Sequence, residues 1–429
     1  MFSAFRNAFK VPDLRNKILF TIFVIALYRL GSHIPVPGID FAKVEELKAQ
    51  ASQGGIYSLI NLFSGGALTQ FAIFALGIMP YITSSIIMQL LTVVIPRLEA
   101  YQKEGEAGQK KITQYTRYMT VVLALLQSLG IVVTANSGRL FGEGIRDLFG
   151  PNLTSGRTFI VVLTLTAGTA MIMWLGELIT QRGIGNGMSI LIFASIISRL
   201  PAESTALWTN AGKLKALVFL GVGILIIVAV VLVEQAQRRI PVQYAKRVVG
   251  RKMYGGTSTY IPLKVNQAGV IPIIFASSLL YLPVLASTIV QSAGFQRFVN
   301  RFLENGSHPA YILIYFLLII FFTYFYTSIT FNPVDVADNM KKYGGFIPGI
   351  RPGRPTAEYL DHILTRITLP GSFFLGIIAV MPFILQGIWN ITSFPFAGTS
   401  ILIIVGVALE TNKQIESQLM MRHYEGFLK

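Results

Sequence analysis

Leu214-Lys-Ala-Leu-Val-Phe-Leu-Gly-Val-Gly-Ile-Leu-Ile-Ile-Val-Ala-Val-Val-Leu-Val233 carries one charge, Lys215, in an otherwise apolar run. Twenty such residues, wound as an α-helix, span the roughly 30 Å of hydrocarbon in a bilayer. The chain then turns strongly basic, with Arg238, Arg239, Lys246, Arg247, Arg251 and Lys252. A solid apolar run against a dense basic loop is the pattern of a membrane helix leaving its lipid phase.

The pattern recurs along the chain. Apolar runs lie at about Ile18–Ser32, Phe71–Ile95, Tyr118–Thr134, Thr158–Leu178, Met188–Leu200, Leu214–Val233, Ala268–Val290, Tyr311–Thr330, Leu369–Ile388 and Gly398–Leu409. The first, fifth and last are short for a crossing, so their helices are expected to extend into polar flanks. Helix is the only reading, because a membrane barrel would show short alternating segments. The fold class is therefore all-α and polytopic, with about ten transmembrane helices. Composition agrees: 53% of residues are hydrophobic and 13% charged, yet the formal net charge is +16. There are no cysteines, which excludes disulfides and thiolate metal sites. The first residues lack the features of a cleavable signal, so insertion is expected from the first membrane helix.

Orientation follows from the basic residues. With the N-terminus cytoplasmic, 25 of the 36 Lys and Arg fall in inside segments and 10 in outside ones, Arg29 lying within the first run. Both termini are therefore expected in the cytoplasm. Ten spans divide into two fives, and an odd-numbered half repeated must sit inverted to its partner. The expected division is an N-terminal half, 1–200, and a C-terminal half, 201–429.

Two inside segments are too long to be turns. Segment 234–264 has flanks at Arg239–Tyr244 and Thr257–Leu263 that read as a hairpin around Gly255-Gly256. Segment 331–366 holds Lys341-Lys342 and then Gly349-Ile-Arg-Pro-Gly-Arg-Pro355, in which proline and glycine present Arg351 and Arg354 on a stiff turn. Charge alone fits the positive-inside rule as well as docking. Loop length favours docking, onto RNA phosphate or an acidic protein surface. Outside, Gly54–Gln70 is apolar but too short to cross. It reads either as an interfacial helix or as a re-entrant segment swinging on Gly65-Gly66, which would need a cavity around it.

Catalytic signatures are missing from the sequence. The four histidines are scattered, and no GxxxxGK[ST] loop is present. Gly183-Ile-Gly-Asn-Gly187 follows a membrane run rather than a strand and reads as the tight turn between the fourth and fifth helices. Arg29, Glu177 and Glu410 lie near span ends, where they are expected to snorkel. No carboxylate sits at mid-membrane, which disfavours a proton-coupled transporter. An intramembrane enzyme is disfavoured because no acid pair or metal cluster lies at depth. Ser84, Ser85, Gln89, Gln127, Asn266 and Ser277 read either as static glue between helices or as a contact that opens reversibly.

Several of these segments together resemble the SecY family of protein-conducting channels: Asn61-Leu-Phe-Ser-Gly-Gly-Ala-Leu, Ala75-Leu-Gly-Ile-Met-Pro-Tyr-Ile, Lys103-Glu-Gly-Glu, Gln114-Tyr-Thr-Arg, Gly183-Ile-Gly-Asn-Gly, Asn266-Gln-Ala-Gly-Val-Ile-Pro and Gly349-Ile-Arg-Pro-Gly. Their order and spacing run through nearly the whole chain. The resemblance implies two inverted five-helix halves around an hourglass pore, with no cofactor, no catalytic site and no metal. It implies a plug at about 57–70, holding Tyr57, Leu59, Ile60, Asn61, Leu62, Phe63, Ser64, Gly65 and Gly66. It implies a pore ring of Ile78, Ile82, Ile192, Ile196, Ile274 and Ile403. The spacing of Ile78/Ile82 and Ile192/Ile196 is compatible with this, since residues four apart share a helix face. Met188, at the start of the fifth run, stands where a branched aliphatic residue is expected.

The resemblance further implies a lateral gate carrying Ser84, Ser85, Gln89, Gln127, Asn266 and Ser277. Partners would dock at Arg238, Arg239, Lys246, Arg247, Arg251, Lys252, Arg351 and Arg354. Those partners are the small membrane subunits SecE and SecG, the SecA motor, translating ribosomes, signal peptides with their nascent chains, and the lipid bilayer. The membrane is expected to be the bacterial cytoplasmic membrane. An apolar constriction suits such a channel physically, because it gives water and ions nothing to bind and dewets when empty.

Overall fold

In a computed structural model, the structure describes residues 9–39, 64–136, 155–210, 212–244, 247–249, 252–254, 258–289, 292–299, 302–303, 308–389 and 398–427. Each of the ten apolar runs holds a helix. These are α1 (Pro12–Gly31), α2 (Met79–Val94), which bends by 99° into α3 (Pro96–Lys103), α4 (Glu106–Asn136), α5 (Ser155–Arg182), α6 (Gly187–Asn210) and α7 (Lys213–Gln235). After the strands come α8 (Ile271–Ile289), α9 (Ala293–Val299), α10 (Pro309–Thr330), α11 (Pro333–Lys342), α12 (Arg354–Trp389) and α13 (Gly398–Phe427). Among the described residues, six helices are long and apolar enough to cross a membrane outright, or seven with the bent α2–α3 pair. α1 falls outside that set because it carries Asp13, Arg15, Lys17 and Arg29. As expected, α1, α6 and α13 run well past the short apolar runs that mark them.

Lipid-facing surfaces are plain in the burial pattern. On α7, Leu214, Leu217, Leu220, Ile224, Leu225, Val228 and Leu232 are exposed, a stripe that only hydrocarbon would solvate favourably. Its opposite face, Phe219, Ile226 and Val230, is buried. α8 packs against both α2 and α4, and α6 packs against α7 and α13.

The second run is corrected by the structure. Residues 64–78 are not helix but a chain of buried turns, and α2 starts only at Met79, with Pro80 in its first turn. Backbone at this depth must satisfy its own polar groups. It does so through Phe71 N–H to Leu68 O, Ala72 N–H to Ala67 O and Gly77 N–H to Phe74 O, and through a short bridge in which Ile73 N–H donates to Ile34 O and Val36 N–H to Phe71 O. Phe71, fully buried, holds a positive φ of 45°, rare for an aromatic residue.

The two long basic segments form one unit. Strands β1 (Gln237–Tyr244) and β4 (Ser258–Lys264) pair antiparallel, Ile240 opposite Ile261. Between them β2 (Arg247–Val249) pairs with β3 (Lys252–Tyr254). The expected pairing of the flanks is therefore present, with Val249 opposite Lys252 in the inner pair, and Gly255-Gly256 lie outside the described residues. From the other segment, β5 (Gly345–Phe346) adds to the free edge of β1, giving the order β4-β1-β5. A separate core of Ile240, Val242, Leu263, Met340, Ile347, Leu360 and Ile363 welds both segments to the start of α12.

Candidate functional site: the buried ring and its re-entrant turn

All six isoleucines expected at the pore ring are buried: Ile78, Ile82, Ile192, Ile196, Ile274 and Ile403. They belong to one continuous apolar cluster, drawn from the end of the re-entrant turn and from α2, α6, α8 and α13. None is turned out to lipid. Met188 is half-buried and packs on the same cluster, its sulfur against the backbone side of Gly176 on α5.

Of the expected plug, Tyr57, Leu59, Ile60, Asn61, Leu62 and Phe63 lie outside the described residues. Ser64 and Gly65 are buried and Gly66 half-buried, with φ of +65° at Gly65 and +89° at Gly66, conformations natural to glycine alone. The described part of this stretch, residues 64–70, is a series of largely buried turns and not a helix, while residues 54–63 lie outside the described residues. Its seat is made by residues that the sequence reading missed. Arg29 does not snorkel: its Nη1 donates to Gly65 O at 3.0 Å. Tyr28 Oη lies 2.7 Å from Ser195 Oγ and 3.4 Å from Ser64 O, and its ring stacks on Phe74 at 5.8 Å.

The expected gate residues are treated unequally. Ser84 is buried and donates to Thr116 O at 2.7 Å, so it joins α2 to α4. Ser277 bonds only within α8, to Ile273 O and Ile274 O. Ser85 and Gln89 are half-buried. Asn266 donates to Glu234 Oε1 at 2.7 Å and to Gly269 O, while its buried Oδ1 has no partner among the described residues. Gln127 is 1% exposed, and its Nε2 also lacks a partner among the described residues.

Glu177 is likewise not a snorkelling group. Arg117 grips it in a bidentate pair, Nε to Oε1 and Nη2 to Oε2, both 2.7 Å, and Arg117 Nη1 also donates to Gln114 Oε1. A fork of this kind fastens α4 to α5 with direction as well as charge. Glu177→Gln keeps the size but breaks the charged fork, and is expected to lower stability by about 1–3 kcal/mol; thermal unfolding in detergent measures it.

On this β-sheet unit Arg238, Arg239, Arg351 and Arg354 are all exposed. Arg239 lies over the ring of Tyr260, 4.9 Å from its centroid, and Arg354 pairs with Glu358 one turn on. Arg247 and Lys252 are placed in β2 and β3; Lys246 and Arg251 lie outside the described residues. The Arg351 turn is set by Gly349 and Gly353, both at positive φ, and by Thr356 Oγ1 donating to Arg351 O at 2.8 Å.

The SecY family model matches residues 72–412. The chain belongs to the SecY family. Its SecY relatives include the protein translocase subunit SecY of Streptomyces galbus, 59% identical over the whole of both chains, and that of Mycobacterium tuberculosis, 56% identical over the whole of both. The fold is similar to a solved protein-conducting channel, at 18% identity over 94% of this chain and 92% of that one, with a TM-score of 0.65. It is also similar to Sec61 in the canine ribosome-channel complex from the endoplasmic reticulum, at 16% identity over the same shares, with a TM-score of 0.62. As a SecY family member with six or more apolar spans, the chain is a multi-pass helical membrane protein.

Proposed function

We propose that this chain is the central subunit of a Sec translocon, a gated channel that passes unfolded polypeptides across the bacterial cytoplasmic membrane and releases apolar segments sideways into lipid. It acts as a conduit, not an enzyme. The observation that carries this reading is that six isoleucines from five parts of the chain are all buried in one apolar core, with none turned to lipid. An apolar collar seals by dewetting, and branched aliphatic side chains part around many peptide sequences without bonding to any. Residues 1–200 and 201–429 act as two inverted halves closing an hourglass pore, and α8 lying against α2 and α4 is the closed lateral gate between them.

Both termini and the welded β-sheet unit face the cytoplasm, in keeping with the basic residues. That unit is the docking platform for SecA and for ribosomes, which supply the energy; SecE and SecG complete the membrane complex. Purification in mild detergent is expected to bring down two small membrane subunits. The reconstituted complex, given the motor and ATP, is expected to translocate an unfolded precursor. Ion-dependent uptake of a small solute by the purified chain would overturn the channel reading.

Arg351→Glu tests the platform. The side chain is exposed on a turn fixed by two glycines, so reversal leaves the fold alone and puts like charge against an acidic partner, which costs several kcal/mol. Motor-driven translocation is expected to fall at least about tenfold, with normal membrane insertion of the chain itself. Unimpaired translocation by Arg351→Glu removes this residue from the docking surface.

A further inference from the structure

The charged end of α1 does something that lipid anchoring does not explain. Arg29 sends Nη1 inward to the carbonyl of Gly65, a hydrogen bond from a cation to a buried backbone oxygen. Beside it, Tyr28 and Ser195 have one hydroxyl proton each. Ser195 Oγ lies 2.8 Å from Leu191 O and 2.7 Å from Tyr28 Oη. The proton count is met when Tyr28 donates to Ser195 and Ser195 donates to Leu191 O. Ser64 O, at 3.4 Å from Tyr28, then receives only a weak share. The guanidinium, 3.0 Å from Gly65 O, therefore holds this end of the turn at closer range than the tyrosine hydroxyl does.

The seat is also full. A Cβ at position 65 would lie 3.1 Å from Ser195 Cα and 3.2 Å from Arg29 Nη1, besides straining a φ of +65°. Two helices make it: α1 gives Tyr28 and Arg29, and α6 gives Ser195. On α6, Ser195 is the neighbour of Ile196 and stands one turn from Ile192, both in the buried ring cluster.

We propose that Arg29, with Tyr28 and Ser195, is a catch that holds the re-entrant turn in its seat, and that movement of α6 away from α1 releases it. Any motion of α6 that widens the ring at Ile192 and Ile196 carries Ser195 off Tyr28 and opens the wall around Gly65. Widening of the ring and loosening of the turn are then one event. Arg29 is a positioning residue: it acts on the seal through Gly65 O. This inference rests on the channel reading above.

The test is resting conductance of the whole complex, partner subunits included, in planar bilayers, with Ile82→Gly as the reference leak. Arg29→Met keeps an unbranched apolar stem and removes the donor; the open fraction at rest is expected to rise at least about tenfold, the factor that 1.4 kcal/mol of a lost charged hydrogen bond represents. Tyr28→Phe keeps the stack on Phe74 and removes only the hydroxyl, so a smaller rise is expected. Arg29→Lys restores most of the seal, because an ammonium can donate to the same carbonyl. If Ile82→Gly leaks while Arg29→Met stays as tight as wild type, the catch is overturned and the channel reading stands. Equal leak in Arg29→Met and Arg29→Lys also overturns it, since a packing role would not follow the donor. If neither Ile82→Gly nor Arg29→Met leaks, the sealed-conduit reading itself falls.

Discussion

Glycine at both Ile82 and Ile192 is expected to turn the resting complex into an ion leak at least about tenfold above wild type. Both side chains are buried, 8% and 4% exposed, in the main apolar core, to which α2, α6 and the turn before α2 all contribute. Removing them leaves two voids lined partly by bare backbone, and exposed carbonyl and amide groups give water partners that isoleucine denies it. A constriction that dewets because it is narrow and apolar then wets. The same substitutions cost stability, about 1 kcal/mol each for glycine in a helix and several more for the lost burial. Conductance and folding must therefore be separated: Ile82→Leu with Ile192→Leu conserves volume and is expected to stay tight. Protein that elutes as a folded complex with both glycines and yet does not leak would place the seal elsewhere.

Membrane helices were legible in the sequence because lipid imposes a length and permits few charges, so each of the ten apolar runs found its helix. The re-entrant turn was legible only in part. Phe71–Ile78 is as apolar as the helix that follows, and hydropathy merges the two. The missed signal was stereochemical: Gly77 adopts a positive φ, and Pro80 sits in the first helical turn, the usual place for proline at a helix start. The catch at Arg29 was not legible at all. Its partner is a backbone carbonyl, which has no side-chain signature, so a cation near a span end read as a snorkelling one. Glu177 failed in the same direction, since its partner Arg117 lies 60 positions away. The strands of the basic segments were half legible: β-branched and aromatic residues gave β1 and β4, whereas β5, two residues joining from a distant segment, follows from the three-dimensional meeting of both loops.

The close approach of α5 and α6 makes the second strong prediction. Gly183–Gly187 read as a tight turn, and it is one, with Gly185 at φ +82°. Its last glycine has a further duty. A Cβ built on Gly187 would lie 1.8 Å from the carbonyl oxygen of Gly176 and 2.9 Å from Ile179 Cβ, and Gly187 N–H donates to Thr180 Oγ1 at 2.9 Å. The obstacle at Gly176 is backbone in mid-helix, which cannot swing aside as a side chain would. In a bilayer this matters more than in water, because helices there associate largely by close packing at small residues. Gly187→Ala must push α6 off α5, and with it the start of the helix that carries Ile192, Ser195 and Ile196. The expected result is loss of about 3 kcal/mol or more, the upper range for overpacking, seen as a lower melting temperature and reduced yield of folded complex. Any surviving complex is expected to leak, because the ring and the seat of Gly65 share the displaced helix. A Gly187→Ala complex with wild-type melting and a tight resting state would show that α6 can shift without disturbing the seal, and would contradict the coupling of ring and turn through that helix.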